Sequence, residues 1–130
     1  MKILIDTHIF LWASGKTARL SPETLDLLGN PETQKFLSVA SAWEISIKYG
    51  KGMLPLPEHP RTFIPLTLAD SDVTPIPVTL RDAIGVTDLP RYHGDPFDRL
   101  LIAQARLNGM YLLTDDRVFE RYDVDLINLR

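Results

Sequence analysis

In this 130-residue chain, one aspartate is predicted to lie on a buried helix face, where an unpaired carboxylate costs free energy. Asp98 lies in the first turn of a predicted helix, for which Asp95 is a good N-cap and Pro96 a suitable first residue. The following segment, residues 100–103, is apolar on nearly every side, which predicts a buried helix. Asp98 shares a helix face with Ile102, and a carboxylate on a buried face must be paired, hydrogen-bonded or bound to a metal.

Three other acids share one property with Asp98: each lies at the end of a predicted strand or near the start of a predicted helix. They are Asp6, Glu44 and Asp116, the last with its neighbour Asp115. In an open parallel sheet such positions gather along one edge, so these acids can form one pocket. Four close carboxylates should not all ionise without a cation, and oxygen ligands favour Mg²⁺ or Mn²⁺. Such a cation supports hydrolysis of a phosphodiester.

Each of these acids also has a purely structural interpretation. Asp98 lies three residues after Asp95, and Glu44 lies three residues after Ser41, which is the spacing of a helix capping box. An acid in the first turn also complements the helix dipole. On this interpretation the acids are unrelated caps in a protein that has 17 Asp and Glu residues.

The adjacent pair Asp115 and Asp116 offers two choices for the fourth acid of the pocket. In an extended chain the side chains alternate, so Thr114 and Asp116 should point one way and Asp115 the other. We predict that Asp115 caps a helix that begins at Asp116, by accepting a backbone N–H of its first turn. Asp116 is then the acid predicted to turn toward Asp98.

The elements that must position the acids alternate between strands and helices. Short apolar runs predict strands over residues 3–5, 35–39, 73–78, 111–113 and 124–129. Capping residues and helical spacing predict helices over residues 7–14, 22–29, 41–50, 61–69, 79–86 and 95–107, and a further helix after Asp116. Pro65 should kink the fourth helix or mark its true start, and Pro75 and Pro77 predict an edge strand. The alternation predicts an α/β fold with a mainly parallel sheet.

Composition narrows the class of protein. The length predicts a single domain over residues 1–130, and the absence of cysteine excludes disulfides, thiolate zinc sites and cysteine nucleophiles. No apolar run approaches a membrane span, and an acid follows the first apolar residues too early for a signal peptide, so we expect a cytoplasmic protein without membrane contact. A net charge of −3 argues against binding nucleic acid through a broad basic face.

Histidine and tryptophan residues give weaker signals. His8 could touch the acid pocket, although a structural role is the simpler expectation, and His93 could orient the loop before Asp95. Trp12 and Trp43 are interpreted as core residues or as a surface for a protein partner, rather than as a platform for stacking bases.

With those residues placed, the chain resembles the PIN-domain nucleases, and specifically the VapC-like toxins of type II toxin–antitoxin pairs. The resemblance covers nearly the whole chain and depends on four ordered motifs: Leu4-Ile5-Asp6-Thr7-His8, Ser41-Ala42-Trp43-Glu44-Ile45-Ser46-Ile47-Lys48, His93-Gly94-Asp95-Pro96-Phe97-Asp98-Arg99-Leu100-Leu101-Ile102-Ala103-Gln104-Ala105 and Leu112-Leu113-Thr114-Asp115-Asp116. It implies a three-layer α/β/α sandwich, a homodimer, a small antitoxin partner and Mg²⁺-dependent cleavage of RNA. One departure is Asp115, an acid where many relatives have a neutral or basic residue.

The resemblance assigns roles to particular residues. The acidic quartet of the family maps onto the four acids already described, which are therefore expected to be both catalytic and metal-binding: Asp6, Glu44, Asp98 and Asp116. Thr114 matches the polar residue beside the last acid, and Asp95 and Arg99 are expected behind the metal ligands or on the substrate side. We therefore predict a cytoplasmic endoribonuclease toxin that uses Mg²⁺, for which Mn²⁺ could substitute.

Three other functions remain open from the sequence. A receiver-like signalling module also has a parallel sheet and an acidic Mg²⁺ pocket, but it would need paired acids after the first strand and a late lysine, whereas no lysine follows Lys51. A catalytically inactive PIN scaffold is disfavoured because all four acids are present. A metal-dependent phosphatase would be separated by a cleavage assay.

Overall fold

The computed structural model describes residues 1–128 and shows alternating strands and helices. The strands are β1 (Lys2–Ile5), β2 (Gln34–Ser38), β3 (Val73–Ile76), β4 (Tyr111–Thr114) and β5 (Leu126–Asn128). The α-helices are α1 (Thr7–Gly15), α2 (Pro22–Gly29), α3 (Val39–Gly50), α4 (Pro60–Asp70), α5 (Leu80–Gly85) and α6 (Pro96–Leu107). Short 3₁₀ helices cover Thr17–Arg19, Val86–Asp88 and Arg117–Arg121. The predicted alternation is confirmed, and Leu129, at the end of the last predicted strand, lies outside the described residues.

The five strands form one parallel sheet in the order β3-β2-β1-β4-β5, with β1 at its centre. Ile5, the last residue of β1, is paired with Leu113 of β4, and the backbone N–H of Asp6 donates to the Leu113 carbonyl at 3.0 Å. This register brings Asp6 and Thr114 to the same edge of the sheet. Strand β3 lies at the sheet edge, as Pro75 predicted, because a proline cannot donate to a further neighbour.

Both faces of the central strand are buried, which makes the domain a three-layer sandwich. Ile3 and Ile5 pack with Phe10 of α1 and with residues of α3 and α4. Leu4 points to the other face, where it belongs to the cluster that contains Ile102 of α6. This alternation follows from the strand's period of two, and it explains why β1 is a continuous apolar run.

Helix α3 begins earlier than its sequence predicted, and the predicted capping box is wrong. Val39, assigned to a strand, is the first helical residue, and Ser38 is the N-cap, with its Oγ accepting the N–H of Ala40 at 3.1 Å. Ser41 therefore lies within the helix, and Glu44 lies in its second turn rather than its first. A serine directly after the strand offers an earlier cap, so the helix starts there and leaves Glu44 without a capping role.

Helix α4 also begins one residue before its prediction. Pro60 is its first residue, and His59 is the N-cap, with its Nδ1 accepting the Arg61 N–H at 3.1 Å. Pro65 lies inside this helix and does not mark its start. Within residues 1–128, no helix is long and apolar enough to cross a membrane.

Candidate active site

Asp6 lies at the carboxyl end of the central strand and is almost fully buried. It occupies the N-cap position of α1, yet its side chain caps no backbone N–H. Its Oδ2 instead accepts the Thr114 hydroxyl at 2.8 Å. The Thr114 oxygen also accepts the backbone N–H of Asp116 at 3.1 Å, so one threonine connects the ends of β1 and the last acidic segment.

Glu44 reaches the same edge of the sheet from α3 and is also buried. Its Oε1 accepts the hydroxyl of Thr7 at 2.8 Å, and the Thr7 oxygen lies 2.9 Å from Ser41 Oγ. Its Oε2 is paired with the Lys48 ammonium at 2.7 Å, one helical turn further on. This hydrogen bond to Glu44 is the main reason that the pKa of Lys48 is raised. Both oxygens of Glu44 are therefore engaged by protein donors.

Asp98 is present in the first turn of α6, and capping does not account for it. Asp95 is the N-cap, and its Oδ1 accepts the backbone N–H groups of both Phe97 and Asp98, at 2.9 and 3.1 Å. The Asp98 carboxyl lies instead beside His93, with Oδ2 at 3.3 Å from Nε2. Asp95 is thus the N-cap that the sequence predicted, and the described contact of the Asp98 carboxyl is not a capping-box bond.

Asp116 is the N-cap of the 3₁₀ helix Arg117–Arg121, and this corrects the predicted division of roles between the two adjacent acids. Its Oδ1 accepts the Val118 N–H at 3.0 Å. The prediction that Asp115 caps a helix beginning at Asp116 is wrong, because the Asp116 N–H is bound by Thr114 and the helix starts one residue later. The prediction that Asp116 completes the acidic site stands as a prediction.

Electrostatics connects all four predicted acids. Burial raises the pKa of Asp98 to about 8, and the charges of four other acids add to this effect, in the order Asp95, Asp6, Glu44 and Asp116. Burial also raises the pKa of Asp6, against the opposing hydrogen bond from Thr114. Asp6, Glu44 and Asp116 are therefore all close enough to Asp98 to oppose its ionisation, which unrelated caps would not do.

The donor set fits a hard divalent cation by the type of its ligand atoms. All four side chains offer carboxylate oxygens, and their mutual repulsion would be relieved by positive charge. In residues 1–128, however, no group of three or more acidic or histidine side chains is already arranged so that it could hold a metal ion. Protein donors hold two of these carboxylates, through the contacts of Glu44 with Lys48 and of Asp116 with Val118. Metal binding would require them to turn or to act through water.

A partly buried hydrogen-bonded chain leads to Asp98, and part of it was missed by sequence reasoning. His93 Nδ1 lies 2.6 Å from the hydroxyl of Tyr122, and this hydroxyl also accepts from Arg99 Nη1 at 3.3 Å. Arg99 is buried and donates further to the carbonyls of Pro90, His93, Val86 and Leu89. It holds the loop before α6 and is not exposed on the substrate side, where one of its two expected roles would place it. No pattern near Tyr122 marked it as functional.

Two exposed apolar regions flank the acidic edge. Trp43 is 61% exposed and meets Phe97 edge to face, with ring centroids 5.4 Å apart. These residues directly precede Glu44 and Asp98 in the chain. On the other side, a groove of about 250 Å³ runs between α1 and the segment before α4; its lining includes His8, Leu11, Trp12, Leu54, Leu56 and Phe63.

The protein is a three-layer α/β domain with a parallel sheet, and acidic residues lie at one edge of that sheet. The PIN domain model matches residues 3–125, so the chain belongs to the PIN-domain family, whose members are generally nucleases. No curated protein matches the sequence.

Solved structures show the same fold. The chain is similar to the crystal structure of VapBC2 from Rickettsia felis bound to a promoter DNA fragment, with a TM-score of 0.76 and 19% identity over 100% of both chains. It is also similar to DNA-bound VapBC from Salmonella typhimurium, with a TM-score of 0.68 and 17% identity over 100% of this chain and 99% of that one. FitAcB from Neisseria gonorrhoeae gives a TM-score of 0.59 and 18% identity over 97% and 96%. At these identities the likeness establishes the fold.

Proposed function

We propose that this protein is a Mg²⁺-dependent endoribonuclease and the toxin of a VapBC-type toxin–antitoxin pair. The observation that carries the proposal is the effect of Asp6, Glu44 and Asp116 on the Asp98 carboxyl, whose pKa they help to raise. Membership of the PIN-domain family supports a nuclease, and the fold shared with VapBC complexes supports the pairing with an antitoxin.

We propose that the four acids form one cation site together. Asp6, Glu44, Asp98 and Asp116 would hold Mg²⁺ directly or through water. The bound cation would polarise a phosphoryl oxygen of the RNA and lower the pKa of an attacking water. Thr114 holds Asp6 by its hydroxyl and the Asp116 backbone by its oxygen, which fixes the separation of these two chain segments.

Lys48 gives the site a protein-borne positive charge. Its ammonium neutralises Glu44, and its side chain is 39% exposed, so it lies where the pocket meets solvent. If Glu44 bound a cation instead, the Lys48 ammonium would be available to a phosphate of the substrate. An acidic protein with few cations at the site depends on Lys48 and on the bound metal to attract RNA.

The two apolar regions are proposed as surfaces for protein partners. The groove beside Trp12 has a mainly apolar lining, which suits the docking of a short antitoxin segment. Trp43 and Phe97, with the exposed Val39 one turn away, form an apolar stripe that a second copy of the chain would cover in a homodimer. We further propose that the protein acts in the cytoplasm.

The test is incubation of purified, antitoxin-free protein with structured and unstructured RNAs, in Mg²⁺ or in EDTA. We expect internal cleavage in Mg²⁺ only, and its loss in Asp98→Asn, which keeps the size of the side chain and leaves the Asp95 cap intact. A wild-type preparation that is folded, binds Mg²⁺ and cleaves no RNA would contradict the proposal. A phosphomonoester substrate in parallel separates a nuclease from a phosphatase.

The remaining alternatives make different predictions. The strand order β3-β2-β1-β4-β5 differs from the 2-1-3-4-5 order of flavodoxin-like receiver domains, and this disfavours a signalling module. An inactive PIN scaffold would bind its partner and fail the cleavage assay in every metal tried.

A further inference from the structure

The histidine before α6 forms one link in a continuous hydrogen-bonded chain that ends at a site acid. The chain runs from Arg99 Nη1 to the Tyr122 hydroxyl, from there to His93 Nδ1, and from His93 Nε2 to Asp98 Oδ2, with distances of 3.3, 2.6 and 3.3 Å. We propose that His93 and Tyr122 are positioning residues that hold the Asp98 carboxylate in one orientation for cation binding. This inference rests on the proposed function of the acidic site.

The partners of the Tyr122 hydroxyl indicate the direction of its hydrogen bond to His93. The Tyr122 hydroxyl meets three polar groups: Arg99 Nη1, the backbone N–H of His93 at 3.2 Å, and His93 Nδ1. A guanidinium and a backbone N–H can only donate, so Nδ1 is the one group of the three that can accept the hydroxyl proton. With Nδ1 accepting from Tyr122, the ring proton is left on Nε2, which is the nitrogen that faces Asp98.

This tautomer has a direct consequence for the acid. An Nε2–H can donate to Oδ2 of the Asp98 carboxylate, the form that a cation would bind, whereas the other tautomer would direct a lone pair at that carboxylate. One oxygen is then held by the protein, and the other remains for a cation. Hydrogen-bonded partners of this kind orient metal ligands and raise their basicity.

The far end of the hydrogen-bonded chain is rigid, which a positioning device requires. Tyr122 and Arg99 are 5% and 7% exposed, and Tyr122 follows directly on the 3₁₀ helix Arg117–Arg121 that Asp116 caps. The Arg99 guanidinium is anchored on carbonyls of the loop that leads to His93. The hydrogen-bonded chain thus connects the two segments that carry the last two site acids.

Three variants and one control test the proposal. His93→Phe removes both ring nitrogens, and Tyr122→Phe removes a single oxygen atom. His93→Gln can reproduce the Nε2 donor, because its amide nitrogen reaches a similar position. Tyr92→Phe is the matched control: its ring packs edge to face on Tyr122, but its hydroxyl is not in the hydrogen-bonded chain.

The first readout is independent of catalysis. Side-chain ¹⁵N NMR of the metal-free wild type at pH 9, where most Asp98 carboxyls are ionised, should show His93 with a protonated Nε2 and a bare Nδ1, and Tyr122→Phe should lose this preference while Tyr92→Phe keeps it. The opposite tautomer in the wild type would overturn the proposal. A residue that merely fills space would show no dependence of its tautomer on one hydroxyl.

The second readout is calorimetric Mg²⁺ affinity together with kcat and KM for RNA. We expect His93→Phe to weaken Mg²⁺ binding or lower kcat by roughly 10- to 100-fold with little change in the KM for RNA, and Tyr122→Phe to act in the same direction. His93→Gln should recover most of the loss. A folded His93→Phe with wild-type Mg²⁺ affinity and kcat, or a glutamine variant as impaired as the phenylalanine variant, would overturn the proposal. A wild type with the expected tautomer that binds Mg²⁺ but cleaves no RNA would contradict the proposed function alone.

Discussion

Binding of Mg²⁺ should release a proton, because Asp98 is protonated in the metal-free protein at neutral pH. Its pKa is raised to about 8, chiefly by burial and then by the neighbouring acids. At pH 7 roughly 0.9 of the Asp98 carboxyls then carry a proton, and at pH 9 about 0.1 do. A cation that binds the carboxylate must displace this proton. We therefore expect about one proton released per site at pH 7, and an apparent Mg²⁺ dissociation constant that falls about tenfold per pH unit from 6 to 8 and levels above.

The assay is isothermal titration calorimetry at pH 7 in buffers with different ionisation enthalpies, repeated at pH 9. The observed heat should depend on the buffer at pH 7 and lose most of that dependence at pH 9, so the same protein is its own control. A Mg²⁺ affinity that is constant from pH 6 to 9, with heats independent of buffer, would refute the reasoning that Asp98 is both protonated and a ligand.

The same pKa shift fixes the sign of a stability effect without metal. The folded pKa of Asp98 lies above its ordinary value of 3.8, so the folded state binds this proton more tightly than the unfolded state. The contribution to stability is complete below about pH 4 and is lost as the pH rises toward 8. In EDTA, Asp98→Asn should therefore lose less stability than the wild type between pH 5 and 8. Equal losses in the two proteins would show that Asp98 does not titrate in this range.

Three further predictions concern the other acids and the cation. Asp116→Asn should abolish cleavage with the fold retained, since asparagine also caps, whereas Asp115→Asn should remain active; RNA assays that give the reverse order would assign the site to Asp115. Lys48→Met should lower the stability of the metal-free protein by roughly 1 to 3 kcal/mol, because Glu44 loses its charge partner, and thermal melts should show that Mg²⁺ restores part of the loss. The wild type should gain about 2.7 kcal/mol at a hundredfold excess of Mg²⁺ over its dissociation constant, and an unchanged melting temperature would argue against the site.

The fold could be predicted because its signals are local. The apolar run of β1 indicates a strand buried on both faces, and Asp95 followed by Pro96 defines the start of α6 without reference to the rest of the chain. The errors are local as well. Ser38 and Ser41 are both possible N-caps of α3, and Asp115 and Asp116 are both possible N-caps of the 3₁₀ helix Arg117–Arg121. Their cap energies are similar, so the outcome depends on contacts such as the bond from the Asp116 N–H to Thr114.

The hydrogen bonds that hold the site acids could not be predicted, because they join residues far apart in the sequence. Tyr122 contacts His93 across 29 residues of sequence, and it lies in a segment whose spacing predicts nothing beyond a helix. The Thr7 contact with Glu44 spans 37 residues and joins α1 to α3. Sequence patterns locate acids on elements, whereas the donors that hold each acid depend on the packing of one element against another.

The choice between capping and catalysis, which the sequence left open for each acid, is answered differently at each position. Asp95 caps α6 and frees Asp98 from that role; Asp116 caps while its charge still reaches Asp98. Asp6 is held by a Thr114 hydroxyl and Glu44 by Thr7 and Lys48, whereas the described contact of the Asp98 carboxyl is with His93. Burial and the charges of the neighbouring acids together raise the pKa of Asp98 to about 8, so the cost of gathering the acids falls mainly on Asp98. A cation placed at this edge would relieve that cost most strongly at the same carboxyl, which makes the least compensated acid the centre of the proposed site.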